Sequence, residues 1–115
     1  MSDPTTDPPE TDDVTALVDR NGLLKLFANR TRARILVTLL YADRPLTPAE
    51  IAAAADIYES TVREAIDPLG AFEIIEERDD ADSEHPRYRL EETDELVEEI
   101  RAVAELSTRR LYGEE

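Results

Sequence analysis

The sequence has no cysteine, no tryptophan, one histidine, one methionine, three glycines and a single lysine, Lys25. Without cysteine there is no disulfide, no thiol redox switch and no thiolate metal site. The only histidine, His85, lies in a polar, acidic stretch, so no Ser–His or Cys–His nucleophile pair is expected. Metal sensing through Cys or His ligands goes the same way, leaving only a carboxylate–histidine combination. The glycines stand apart at 22, 70 and 113, which excludes a glycine-rich phosphate loop. No enzyme, resident metal or cofactor is expected. No apolar run approaches the ~18 residues of a membrane span. The opening "MSDPTTDPPETDD" lacks the basic-then-apolar pattern of a secretory signal. The expected location is cytoplasmic, with no membrane partner.

The chain is rich in carboxylates: 28 acidic against 13 basic residues, a formal charge of −15 over 115 residues. Apolar residues still make up 41%, too many for a wholly disordered acidic chain and enough for one compact domain. The acids run through every folded segment, and arginine has replaced lysine almost throughout. This balance points to a proteome adapted to molar salt, where the Debye length falls to ~3 Å and self-repulsion is screened. The plainer alternative is an ordinary acidic protein in dilute cytosol.

The first thirteen residues hold three prolines, five acids and almost nothing apolar, the composition of a disordered acidic tail over 1–13. Helical spacing starts at Val14 with Leu17 and Val18. Asn21-Gly22 interrupts it and "LLKLF" resumes, predicting one interrupted helix over 14–28. Ile35, Leu36, Leu39 and Leu40 predict a core-facing helix that Thr31 caps and Asp43 and Pro45 end. "LTPAEIAAAADI" carries the clearest local signal. Thr47 is the N-cap, Pro48 takes the first helical position, Glu50 completes a capping box, and Leu46 packs back on Ile51. Asp56 then makes the turn, since aspartate tolerates left-handed backbone better than most side chains.

In "YESTVREAIDPLG" the residues Val62, Ala65, Ile66 and Leu69 form one apolar stripe, opposite Ser60, Arg63, Glu64 and Asp67. Thr61 and Glu64 have the spacing of a second capping box, and Pro68 should kink or end the helix within a turn. Segments 74–78 and 87–90 read as a hairpin with Tyr88 and Leu90 facing in and Arg87 and Arg89 out. A long helix follows over 93–115, capped by Thr93. Asp94 and Glu95 at its start and Arg109 and Arg110 at its end suit the helix dipole.

The order is helix, helix, capped short helix, tight turn, probe helix, hairpin, long helix. It predicts a mainly α fold with a small β-hairpin: a winged helix-turn-helix with N-terminal and long C-terminal helices. Ile51, Ala55, Ile57, Val62 and Ala65 are apolar where the two motif helices must pack. The stretch "LFANRTRARIL…PLTPAEIAAAADIYESTVREAIDPL…IIEERDD…PRYRLEETDEL" resembles small winged-helix transcriptional regulators of haloarchaea, related to the ArsR, MarR and PadR groups. The resemblance implies a DNA-binding domain over 14–92 and a dimerisation helix over 93–115. Three positions depart from the pattern. Asp56 stands at the turn glycine. The glycine of "L-x-x-x-G" is replaced, since Leu69 is followed by Gly70-Ala71-Phe72-Glu73. The probe helix carries one arginine, Arg63, against Glu59, Glu64 and Asp67.

The resemblance implies a sequence-specific regulator. Its probe helix, about 59–69, would enter the major groove and its wing, 74–90, would lie on the backbone or minor groove. Arg63 is then the candidate for a guanine edge, Ser60 and Thr61 for phosphate or a thymine methyl, and Glu64 or Asp67 for a cytosine amino group. The competing role of both acids is a solvated or arginine-paired surface residue. Arg30, Arg32, Arg34 and Thr47 are the phosphate candidates beside the motif, and Arg78, Arg87 and Arg89 those on the wing. Each arginine has a competing role, an ion pair with one of the many acids. Leu96, Val97, Ile100, Val103, Ala104 and Leu111 form a stripe long enough for a two-helix dimer seam. The other use for it is packing on the chain's own N-terminal helix. The expected partners are double-stranded DNA with a pseudo-palindromic operator, a second copy of the chain, and inorganic cations between DNA and acids such as Asp79, Asp80, Asp82 and Glu84. The rival reading is a winged-helix module that binds proteins and no specific DNA.

Overall fold

A computed structural model describes residues 11–79 and 85–113 of the protein. Its elements are α1 (Thr11–Asp19), α2 (Gly22–Leu26), α3 (Arg30–Tyr41), α4 (Pro48–Ala55), α5 (Glu59–Gly70), β1 (Ile75–Arg78), β2 (Arg87–Leu90) and α6 (Glu95–Tyr112). The interruption expected at Asn21-Gly22 separates α1 from α2. α1 already begins at Thr11, inside the stretch assigned to the tail, and residues 1–10 lie outside the described part.

Local capping chemistry sets most helix starts. Thr47 and Glu50 form the full reciprocal box: the Glu50 N–H donates to the Thr47 hydroxyl (3.2 Å) and the Thr47 N–H donates to Glu50 Oε1 (2.9 Å). Removing such a cap costs about 1 kcal/mol. Two other caps correct the sequence. Asn29, not Thr31, accepts from the Arg32 N–H at the start of α3. Asp94, not Thr93, accepts from the Leu96 and Val97 N–H groups at the start of α6. In both, a short Asx side chain stood one or two residues from the expected threonine, and asparagine and aspartate cap at least as well. The second box expected from Thr61 and Glu64 does not form. α5 starts earlier, at Glu59, with Tyr58 as its N-cap.

α3 is the centre of the domain and packs on α4, α5, β2 and α6. Ile35, Leu36, Ile51, Val62, Leu69, Ile74 and Val97 are fully buried around it, and among the described residues no polar or charged side chain is buried. Each such aliphatic side chain contributes about 1.5–3 kcal/mol of burial. Asp56 adopts the expected left-handed turn (φ 61°, ψ 51°) between α4 and α5. Glu73 also has a positive φ after α5 (61°), at the position where the resemblance expects glycine. Pro68 sits in the last turn of α5, which ends at Gly70.

The hairpin pairs Ile75 with Leu90, Glu76 with Arg89, Glu77 with Tyr88 and Arg78 with Arg87. Leu46 joins it through two hydrogen bonds with Tyr88 (2.9 and 2.7 Å). The wing is thereby tied to the residue just before the α4 cap.

α6 divides the expected dimer stripe. Val97 and Ile100 are buried in the protomer's own core, and Leu96 and Ala104 pack at its margin. Val97 and Ile100 are thus taken up by the core, while Leu96 and Ala104 are half-buried. Val103, Leu106 and Leu111 remain 63%, 43% and 73% exposed. Val14, Leu17 and Val18 of α1 are exposed as well.

Candidate nucleic-acid interface

α5 turns Val62, Ala65 and Leu69 into the core and leaves Glu59, Ser60, Arg63, Glu64 and Asp67 on its open side. Thr61 is half-buried at the edge. Burial raises the Tyr88 phenol above its usual pKa. Glu77 and Asp67 add to the rise, and Arg63 opposes it. The wing is tied to the start of α4, through the Leu46–Tyr88 hydrogen bonds and the Arg87–Glu50 pair.

The arginines of α5 and the wing are all held by carboxylates. Arg63 pairs with Glu59 one turn earlier. Arg78 and Arg89 reach the two oxygens of Glu76 at 3.1 and 3.0 Å. The Arg89 Nε is buried but not aligned to donate to that carboxylate. Arg87 reaches Glu50 Oε1 at 3.4 Å, and Arg44 reaches the same oxygen at 3.2 Å. The Thr47 N–H bond chiefly draws the Glu50 carboxyl below its ordinary value; burial opposes it, and Arg44 and then Arg87 add smaller lowering effects. All these pairs are partly exposed, and exposed pairs are worth about 0–1 kcal/mol each. They are held loosely enough to exchange partners.

The other basic candidates sit at the start of α3. Arg32 donates to the Lys25 carbonyl, and Arg34 Nε to the Ala55 carbonyl at the end of α4. Arg30 and Arg34 border a surface groove of about 340 Å³ floored by Ala33, Ala54 and Ala55. That groove is at the opposite end of α4 from Thr47, about 12 Å away at 1.5 Å per residue. Thr47 itself is committed to its capping box, beside the Arg44–Glu50–Arg87 cluster. Of the acids expected at the wing tip, Asp79 is exposed; Asp80, Asp82 and Glu84 lie outside the described residues.

Two residues on this face went unassigned in the sequence, Arg44 and Tyr58. Arg44 gave one usable signal: it immediately precedes the Pro45-Leu46-Thr47 cap. Tyr58 gave another, an aromatic where a capping side chain belongs.

The fold defines a winged helix-turn-helix protein, mainly helical with one two-stranded antiparallel wing. Solved structures of that kind superpose on it. NolR from Sinorhizobium fredii is 19% identical with a TM-score of 0.63, over 96% of this chain and 100% of its own. The homodimeric winged helix-turn-helix DNA-binding domain Mb0332 from Mycobacterium bovis, a possible ArsR-family transcriptional regulator, is 22% identical (TM-score 0.57, 90% and 95% covered). HlyU from Vibrio cholerae is 29% identical (TM-score 0.56, 90% and 97% covered). No protein-family model matches the sequence, and neither does any curated protein. Among the described residues, no helix is long and apolar enough to cross a membrane.

Proposed function

We propose that the protein is a sequence-specific DNA-binding transcription regulator that works as a homodimer in a halophilic archaeon. The observation that carries this reading is the open face of α5, flanked by a wing bearing Arg78, Arg87 and Arg89. The N-terminal half of α5 enters the major groove, with Arg63 on a guanine edge and Ser60, Thr61 and Glu64 beside it. The wing and Arg44 take backbone phosphates. Arg30, Arg32 and Arg34 are further phosphate candidates, and the groove of Arg30 and Arg34 lies at the end of α4 that leads into α5. The exposed side of α6, Val103, Leu106 and Leu111, meets a second copy, and the operator is pseudo-palindromic. Both the fold and the homodimeric Mb0332 domain support this reading.

For DNA to bind, each arginine must exchange its carboxylate for a phosphate or, at Arg63, for a guanine edge. The released acid then takes up a cation, which makes inorganic cations partners of the complex. The absence of thiols and the composition of the face support a non-enzymatic role. One observation favours the rival, a protein-binding module: the face is already neutralised by Glu50, Glu59 and Glu76. The deciding experiment is selection of duplexes from a random pool at high salt, repeated with Arg63→Ala/Arg87→Ala. A selected sequence that the double variant no longer holds supports the regulator. No enrichment by the wild-type chain, or unchanged binding by the variant, sinks it.

A further inference from the structure

Among the described residues, four helices begin on a side chain that accepts a first-turn N–H: Asn21, Asn29, Thr47 and Asp94. α5 does not. Its N-cap is Tyr58, whose side chain makes no capping hydrogen bond and whose ring is 81% exposed. Only the Tyr58 backbone carbonyl serves the helix, accepting from the Thr61 and Val62 N–H groups. Tyrosine is unfavourable here as a cap, since it offers no oxygen within reach of the first turn. The fold would be better served by serine or asparagine, so stability does not explain this residue.

The place does. Tyr58 directly follows the Asp56 turn and stands at the tip of the helix end that would enter a major groove. Its neighbour Glu59 repels phosphate, Arg63 one turn on is held by that same glutamate, and Arg34 is held by the Ala55 carbonyl before the turn. An uncharged contact can add to that of Arg63 at this tip, and an apolar one keeps its strength in concentrated salt, where charge attraction is screened. We propose that Tyr58 is a specificity-determining residue whose ring packs on the C5-methyl of a thymine at the groove edge. This rests on the DNA-binding reading above. Major-groove thymine is distinguished by that methyl, and an aromatic face is a suitable partner for it.

The test uses the full chain and the duplex that the wild-type protein selects. Tyr58→Ser should raise Tm, because it supplies the missing cap, and should weaken binding to that duplex at least tenfold. Tyr58→Phe should bind like wild type. Replacing one thymine of each half-site by deoxyuridine, which removes only the methyl, should weaken wild-type binding and leave the serine variant unaffected. A serine variant with raised Tm and undiminished binding overturns the proposal. So does a lowered Tm, which would make Tyr58 a structural residue. Weakened binding with no thymine sensitive to the deoxyuridine swap overturns it too, by moving the contact to the backbone. If the wild-type chain selects no duplex, the DNA-binding reading fails first and the Tyr58 role falls with it. If it selects one that Arg63→Ala loses and Tyr58→Ser keeps, only the Tyr58 role is lost.

Discussion

Arg87 on the wing and Glu50 in the first turn of α4, 37 positions apart in the chain, meet at 3.4 Å on a carboxylate oxygen that also accepts the Thr47 N–H. Arg44 joins the same oxygen at 3.2 Å. One glutamate therefore caps a helix, anchors the wing and gathers two guanidiniums at the edge of the proposed interface.

This arrangement predicts a pH dependence. The Thr47 hydrogen bond first, then Arg44 and Arg87, hold the folded Glu50 below its ordinary value of 4.5. The folded state binds that proton more weakly than the unfolded chain. Its stabilisation is therefore present above the ordinary value and is lost as pH falls through the lowered folded one. Glu50→Gln keeps an oxygen for Thr47 but not the charge. Thermal melts should place the variant below wild type near neutral pH, with the gap closing below about pH 4. A gap of constant size across that range would show that the charge contributes nothing.

Glu73 lies at φ 61° in the turn after α5. A side chain with a Cβ is strained there by about 1–2 kcal/mol, and glycine is not. Allowing for the entropy glycine adds to the unfolded chain, Glu73→Gly should gain about 0.5–1 kcal/mol in urea unfolding. The same change at Asp56 should gain less, since aspartate tolerates the left-handed region. Destabilisation by Glu73→Gly would mean that the carboxylate has a contact worth more than the strain.

α6 predicts two opposite outcomes from one kind of substitution. Val103→Glu with Leu111→Glu falls on the exposed side. It should shift the protein from dimer to monomer in sizing chromatography and preserve its helical circular dichroism. Ile100→Glu puts a charge at a site only 7% exposed. It should abolish cooperative unfolding, because an unpaired buried charge costs several kcal/mol. A dimer that survives the first pair of changes would place the seam elsewhere, with the exposed leucines of α1 and α2 the next surface to test.

The carboxylate-held arginines predict an unusual salt response. A protein that only releases counterions loses affinity with a slope near −0.9 per phosphate contact. Here cation uptake by Glu50, Glu59 and Glu76 should offset that release. Operator affinity titrated from about 0.5 to 3 M KCl should fall far less steeply than the number of phosphate contacts implies. A slope at the full counterion-release value would rule out cation uptake.

The readable parts of this molecule were those settled within a few residues. Thr47, Pro48 and Glu50 close their box on one another, and Asp56 turns the chain by its own backbone tolerance. Val62, Ala65 and Leu69 face the core because helical pitch puts them on one side. Those short-range rules established the winged helix and the place of its probe helix. They were less sure where rival cappers stood side by side, as with Asn29 and Thr31 or Asp94 and Thr93, because the difference between two good caps is small. Packing alone decided the rest. The stripe on α6 reads as one continuous face, and only the position of α3 shows that Val97 and Ile100 lie inside while Val103 and Leu111 lie out. The partners of Arg44, Arg87 and Arg89 come from other elements, and in a chain this acidic every arginine has many carboxylates to choose from. Proximity in three dimensions makes that choice, and composition is silent on it.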